Sequence, residues 1–322
     1  MSKSQFRAEP MNFPWRRSLA GAGLLAALLI ALALRPQPSS HEALDLPPIS
    51  TLGRYSQAAG HWGSLDDGMA GVTVSPAGEL IPAAIHHWAT AVVSYRPAPG
   101  VQRPWNHPQN ALGPISGDPT HIVSLGDLDR AQIRQGVPPG EITLEIGSGI
   151  RNGPGPDFAV FENGFLKQNG IFAELAYVEV SSDGIHFARF TSEFLHPHPV
   201  GPGDALDPTA IYNLAGKHTN NIYINADGLA EGQSWGTPFD LETLRHHPHV
   251  LTGILDLDRV RFVRIIDIPG TGDFRDSQGN PIYDPWPTAN SGSGGFDLAG
   301  IGVLHPMLGF ESFAQSQPDR DP

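Results

Sequence analysis

Acidic and amide side chains that could bind a cation are concentrated in three segments rich in glycine and proline, 110–120, 153–164 and 291–298. Turns in such segments bring carboxylate, amide and backbone oxygens together, and calcium takes roughly six to eight oxygens of these kinds. We therefore predict a calcium site that joins these loops to the last strand. Its candidate ligands are Asn110, Asp118, Thr120, Asp157, Glu162, Asn163 and Asp297. In the alternative interpretation, the acidic residues only cap turns by accepting backbone hydrogen bonds.

Glu162 and Glu174 form a second candidate site, because two carboxylates can hydrolyse a glycosidic bond as acid and base. The mechanism depends on whether they lie about 5 or about 9 Å apart, and the sequence does not determine this distance. The chain contains no Gly-x-Ser-x-Gly nucleophile motif and no phosphate-binding loop. These observations favour a non-catalytic protein, with an enzyme that acts on polysaccharide as the alternative.

Histidines are frequent, with 14 in the chain, and several are close neighbours in sequence. These neighbours are His86 and His87, His196 and His198, and His246, His247 and His249. Imidazoles at such spacings can bind zinc or copper. Nearby prolines prevent a helix or strand from aligning the rings, so solvated loop histidines are the other interpretation.

The charge balance is acidic, because 20 Lys and Arg stand against 33 Asp and Glu to give a net charge of −13. Such a surface repels nucleic acid and anionic membranes. The chain has no cysteine, which excludes disulfides, thiolate metal sites and thiolate nucleophiles. A chain of this length can bury enough apolar surface to fold without disulfides.

Short apolar or β-branched runs separated by turn-forming residues place these candidates on a mostly β framework. We predict one β-sandwich or jelly-roll domain over residues 51–305, with long loops and little helix. Asp183-Gly184 is a strong hairpin signal between two such runs. The clearest helix prediction has Thr237 as its N-cap and continues to Leu244.

The N-terminal region has the pattern of an export signal. Arg16 and Arg17 precede the apolar run LAGAGLLAALLIALAL at residues 19–34. The run is shorter than the roughly 20 residues that span a bilayer comfortably, so residues 1–34 are predicted to be a cleaved signal peptide or an uncleaved membrane anchor. Either form places the following domain outside the cytoplasm. Residues 35–50 are predicted to be a linker, and residues 306–322 a disordered tail.

Several motifs occur in the order NALGP, GPGPDFAVFENG, FAELAYVEVSSDG and SGSGGFDLAGIGVL. This series resembles a family of uncharacterised bacterial cell-surface and secreted proteins, and the resemblance implies an extracytoplasmic location. A looser likeness is to galactose-binding-like jelly rolls, which implies a structural calcium ion and a carbohydrate ligand. In that comparison, Asn110, Asp118 and Thr120 resemble the calcium loop, and Asp297 resembles the late acidic position. We therefore expect a calcium-stabilised module that binds a glycan or another envelope component.

Overall fold

The computed structural model describes the chain in several stretches, and the fold is presented for these residues alone. They are residues 60–62, 70–74, 80–115, 120–167, 170–217, 234–288 and 292–307. The predicted signal or anchor, the linker and most of the predicted tail lie outside them, as does Asp118. Within these stretches, no helix is long and apolar enough to cross a bilayer.

The described residues are mostly strands, which confirms the predicted mostly β class. The strands are β1 (Gly60–Trp62), β2 (Ala70–Val74), β3 (Leu80–Ala84), β4 (His87–Trp88), β5 (Ala91–Arg96), β6 (Val123–Ser124), β7 (Glu141–Ile150), β8 (Phe158–Glu162), β9 (Phe165–Lys167), β10 (Gly170–Phe172), β11 (Ala176–Ser181), β12 (Ala188–Arg189), β13 (Glu193–Phe194), β14 (Ile211–Tyr212), β15 (Ser234–Phe239), β16 (Val260–Asp267) and β17 (Asp297–Val303). Helix is limited to α1 (Arg130–Arg134), α2 (Pro248–Leu251) and 3₁₀ turns at Pro108–Ala111, Pro208–Ala210, Leu241–Leu244 and Leu257–Arg259.

Most strands belong to two antiparallel sheets. The first has eight strands in the order β3-β2-β1-β15-β8-β17-β4, with β6 also paired to β17. The second has five strands in the order β12-β11-β16-β7-β5. Strands β9 and β10 pair with each other, as do β13 and β14. Because β8 and β17 are inner strands of the first sheet, and β11 and β16 of the second, residues at their ends are held in fixed register.

The predicted hairpin is confirmed, since β11 pairs with β12 on either side of the Asp183-Gly184 turn. Gly184 has φ +76°, which glycine accepts without strain. The predicted helix N-cap at Thr237 is wrong. Thr237 pairs with Val160 in the first sheet, and Asp240 caps the Leu241–Leu244 turn by accepting a hydrogen bond from the Glu242 amide.

Strand β8 is buried at every residue because apolar side chains cover both of its faces. Phe158 packs in the main core, where its ring centre lies 5.4 Å from that of Phe239 and 6.0 Å from that of Phe190. On the other face, Phe161 packs against Trp88 at 5.5 Å between ring centres. The strand therefore carries Glu162, its last residue, into a position that is fully shielded from solvent.

Candidate cation site

Six carboxylates are buried at the ends of strands of both sheets and in two loops, and we refer to them as the carboxylate cluster. The carboxylates lie close enough together that the negative charge of one raises the pKa of others. The members, with the exposed fraction of each residue, are Asp127 (3%), Glu162 (0%), Glu174 (6%), Asp267 (1%), Asp284 (3%) and Asp297 (4%). Acidic residues are almost never buried this fully unless a partner compensates the charge.

Strand register brings the first-sheet members together. Glu162 ends β8 opposite Leu298 of β17, so Asp297 stands beside it at the start of β17. Asp297 is also opposite Ser124 of β6. The Asn163 amide donates to Asp297 at 3.4 Å, and the backbone amide of Gly164 donates to Glu162 at 2.8 Å. Each of the two carboxylates thus has one oxygen positioned by neighbouring donors.

The second sheet supplies Asp267 at the end of β16, with Glu174 shortly before β11. Backbone amides of the segment that leads into β17 hold both: Phe296 donates to Asp267 at 2.7 Å, and Gly295 donates to Glu174 at 2.9 Å. Gly295 has φ +76°, and a Cβ there would lie 2.6 Å from the Gly126 backbone and 2.8 Å from the Asp267 carboxylate. This position therefore requires glycine, which lets the backbone approach the carboxylates closely.

Two loop residues complete the cluster. The Leu175 amide donates to Asp284 at 2.8 Å. The backbone amide and the hydroxyl of Thr288 donate to Asp127 at 2.9 and 3.1 Å. These bonds hold one oxygen of Asp284 and one oxygen of Asp127 in place.

Three cluster oxygens remain without a hydrogen-bond partner although they are buried. They are Glu162 Oε1, Asp267 Oδ2 and Asp297 Oδ1. No ion pair between described residues includes any of these three side chains. An unpaired buried polar atom costs about 1–3 kcal/mol, and more when it carries charge. Three such oxygens in one cluster therefore indicate that a proton or a cation is needed there.

Burial raises the pKa of Glu162, Glu174, Asp267 and Asp284 well above their usual ranges, and neighbouring carboxylates raise each of them further. Burial also raises the pKa of Asp297 to about 8. At neutral pH, the cluster without a cation would therefore retain protons. A bound divalent cation would remove this preference, because it stabilises the charged carboxylates.

In their present positions, no three His, Asp or Glu side chains of the described residues form a complete ligand group for a metal ion. A cation that bound several of the open oxygens would require them to move closer together than they lie here. The donor set is entirely oxygen, which fits a hard cation such as calcium better than zinc or copper.

Only some of the calcium ligands predicted from the sequence lie in the carboxylate cluster. Glu162, Asn163 and Asp297 are brought together as described. The Asn110 side chain donates to the carbonyl of Ile122 at 3.1 Å, and no contact joins it to the cluster among the described bonds. Thr120 is exposed. These positions give no support to the proposed early calcium loop.

Asp157 lies outside the cluster, because it precedes β8 whereas Glu162 ends that strand. It is fully buried and accepts hydrogen bonds of 2.7 Å from the amides of Gly153 and Leu241 and from His305 Nδ1. Its oxygens are thus satisfied by the protein, as the turn-capping interpretation proposes for acidic residues of these loops.

Asp127, Asp267 and Asp284 are not among the candidate residues predicted from the sequence, and Glu174 is predicted there as a possible acid–base partner of Glu162. One signal was present for Asp267, which is the acidic end of an otherwise apolar and basic strand run, VRFVRIID. Asp284 follows no such pattern.

No family model and no curated protein matches this chain. The likeness to bacterial cell-surface proteins and to galactose-binding-like jelly rolls therefore stays a prediction from motifs.

Proposed function

We propose that this protein is an exported, non-catalytic binding or structural module whose fold is stabilised by calcium bound at the carboxylate cluster. The observation that carries the proposal is the set of three buried carboxylate oxygens, on Glu162, Asp267 and Asp297, that have neither a hydrogen-bond partner nor an ion-pair partner. A calcium ion would supply the missing positive charge, and the three oxygens would become its ligands once they move closer together.

The position of the cluster explains why a cation would matter to stability. Asp297 belongs to the first sheet and Asp267 to the second, so one ion bound by both would connect the two sheets. The largest buried cluster also takes residues from both sheets, including Phe158 of β8 and Ile265 of β16. These contacts support a β-sandwich in which calcium performs the cross-linking role that disulfides have in many exported domains.

Calcium is preferred to magnesium because the donors are protein oxygens in a dry interior. Magnesium loses its water ligands reluctantly and is usually held by only one or two carboxylates, whereas calcium accepts many protein oxygens in flexible geometry. Extracellular calcium modules have dissociation constants of about 10⁻⁴–10⁻³ M, so export would place the domain where calcium is abundant enough to bind.

The alternative of a polysaccharide-acting enzyme is not favoured. Burial raises the pKa of Glu174, and nearby carboxylates that include Glu162 raise it further. Their residues are only 0% and 6% exposed, so a sugar chain could not reach both carboxylates without opening the sheets. Their burial suits a structural ion instead.

Isothermal titration of calcium into chelator-treated protein tests the cation proposal. We expect heat that saturates at one calcium ion per chain, with a much weaker response to magnesium. The Glu162→Gln variant should lose most of this heat, because the amide keeps the shape of the side chain but removes the negative charge. Absence of heat in the wild-type protein at millimolar calcium would refute the cation site.

Fractionation of the producing cell tests export. The protein should separate from a cytoplasmic marker enzyme and be recovered with the envelope or the medium. Recovery together with the cytoplasmic marker would refute the proposed location. A glycan or another envelope component remains the proposed ligand, on the strength of the motif likeness.

A further inference from the structure

A second group of side chains with metal-binding chemistry lies on the surface, away from the carboxylate cluster. It contains His186, next to the β11–β12 turn, and His247 and His249 around the start of α2. The ring centres of His186 and His249 are 5.9 Å apart, and those of His247 and His249 are 5.0 Å apart. Two imidazoles that share a zinc ion through nitrogens at about 2.0–2.1 Å have ring centres roughly 5–6 Å apart. The distances between the ring centres fall within this range, and the rings meet edge to face, with 84° and 70° between their planes.

We propose that His186 and His249 bind one divalent transition metal of the zinc and copper class, with His247 beside them. The site is new relative to the calcium proposal, because it uses different residues and nitrogen ligands. Of the three histidines of this group, the sequence pattern indicates His247 and His249, and His186 joins them through the fold.

Asp183 prepares His186 for this role. Its carboxylate accepts a hydrogen bond from His186 Nδ1 at 2.7 Å, which leaves the lone pair of the neutral ring on Nε2. The same carboxylate accepts backbone bonds from Ile185 and His186 at 2.8 Å, so the turn itself fixes its direction. A carboxylate that orients a histidine and increases its basicity is the usual support of a metal-bound imidazole.

His249 has a nitrogen without a partner. Its Nδ1 is shielded from solvent and makes no hydrogen bond. Backbone bonds from Ile254 and Leu255 to the His249 carbonyl, at 2.8 and 2.9 Å, hold the residue in place. An enclosed imidazole nitrogen with no partner costs free energy, and a metal ion would recover that cost.

His247 differs from the other two rings, because its Nδ1 accepts a hydrogen bond from the His249 amide at 3.1 Å. Its neutral form therefore carries the proton on Nε2. His247 could act as a third ligand only by releasing that amide, so the proposal requires His186 and His249 and leaves the remaining positions to water.

The two segments that supply the ligands are joined to each other. The Ser182 hydroxyl donates to the Asp256 carbonyl at 3.1 Å and accepts from the Asp256 amide at 3.0 Å. This pair of bonds connects the hairpin turn to the loop after α2. The bonds therefore hold the segments that carry His186 and His249 next to each other. A site fixed in this way loses less conformational entropy when the metal binds.

The test is titration of zinc into the full chain, prepared without a histidine tag and saturated with calcium so that the carboxylate cluster is not available to zinc. We expect one zinc ion per chain. His186→Gln and His249→Gln should each weaken zinc binding at least about ten-fold, and Asp183→Asn should weaken it by about ten-fold or more. His246→Gln is the matched control, since it is exposed and lies in the same segment, and it should bind zinc like the wild type.

The His186→Gln and Asp183→Asn variants should keep the wild-type midpoint of thermal unfolding in calcium, because His186 is exposed and the Asp183→Asn variant retains a side-chain oxygen for the turn amides. Copper(II) should show the electron spin resonance hyperfine pattern of two nitrogen ligands, reduced to one by His186→Gln. Equal zinc affinity in His186→Gln, His246→Gln and wild type would overturn the proposal. So would the absence of zinc binding under calcium saturation, and neither result would affect the calcium site.

Discussion

Calcium at about a hundred times its dissociation constant should raise the thermal unfolding midpoint of the chelator-treated protein by about 5–10 °C. Binding to the folded state alone at this ratio contributes about 2.7 kcal/mol. For a domain of this size, each kcal/mol moves the midpoint by roughly 2–4 °C. Differential scanning calorimetry with chelator and with calcium measures the change directly.

Two variants and one control test whether the calcium shift comes from the carboxylate cluster. Glu162→Gln and Asp297→Asn should abolish the calcium shift. Without calcium they should unfold at about the wild-type temperature or above, because each replaces a buried carboxyl, whose ionisation burial disfavours, with a neutral amide. The control is Asp157→Ala, which breaks three hydrogen bonds outside the cluster. It should lower stability by about 3–5 kcal/mol and keep the full calcium shift.

The opposite pattern would contradict the assignment. If Asp157→Ala lost the calcium shift while Glu162→Gln retained it, the ion would be bound by the loop before β8 and not by the carboxylate cluster.

Without calcium, the protein should become less stable as the pH rises from 5 to 7. Burial raises the pKa of Asp297 from its usual 3.8 to about 8, and raises those of Glu162, Glu174, Asp267 and Asp284. Between the unfolded and folded pKa values, the folded chain holds protons that the unfolded chain has released. The free energy of unfolding therefore falls as the pH rises through this range.

Lys217 opposes the effect of the carboxylates above about pH 7. It is buried, and desolvation lowers the pKa of its amine to about 7. A lysine with a lowered folded pKa adds stability as the pH rises above that value, so it opposes the carboxylates above pH 7. Urea unfolding at pH 5 and pH 7 avoids this overlap.

Calcium should reverse the trend, because it binds the deprotonated carboxylates and displaces their protons. In excess calcium, stability should rise or remain level between pH 5 and 7. Asp297→Asn should flatten the chelator profile, since it removes one titrating group. A wild-type protein that gained stability with pH in chelator would show that the cluster is ionised without a cation, against the proposed role.

Part of the cation site could be read from local sequence. Glu162 and Asn163 follow an apolar strand and precede a glycine, and Asp297 opens the last strand, so all three were expected where loops meet strands. Asp157 has the same local context, yet it lies before β8 and is satisfied by backbone amides and His305. Asp157 and Glu162 lie at opposite ends of the five-residue strand β8, so one is satisfied by hydrogen bonds and the other belongs to the carboxylate cluster. No residue pattern in the sequence distinguishes these two positions.

No sequence pattern pointed to Asp284, and the acidic end of the VRFVRIID run was the one signal for Asp267. Asp267 reaches the cluster because β16 pairs with β11, opposite Ala176, and because Phe296 donates to it from a segment distant in the chain. His186 is a similar case, since its approach to His249 depends on the bonds between Ser182 and Asp256.

Composition and short-range patterns determined that this chain is mostly β, has no cysteine chemistry, forms a hairpin at Asp183-Gly184 and carries its acidic residues near strand ends. These properties depend on backbone preference and side-chain type, which neighbouring residues reveal. Only the tertiary structure decided which acids are buried together. Burial and mutual repulsion raise the pKa of a carboxyl, and burial leaves some of its oxygens without partners. Both effects arise from residues far apart in the chain, which strand pairing and the packing of loops bring together.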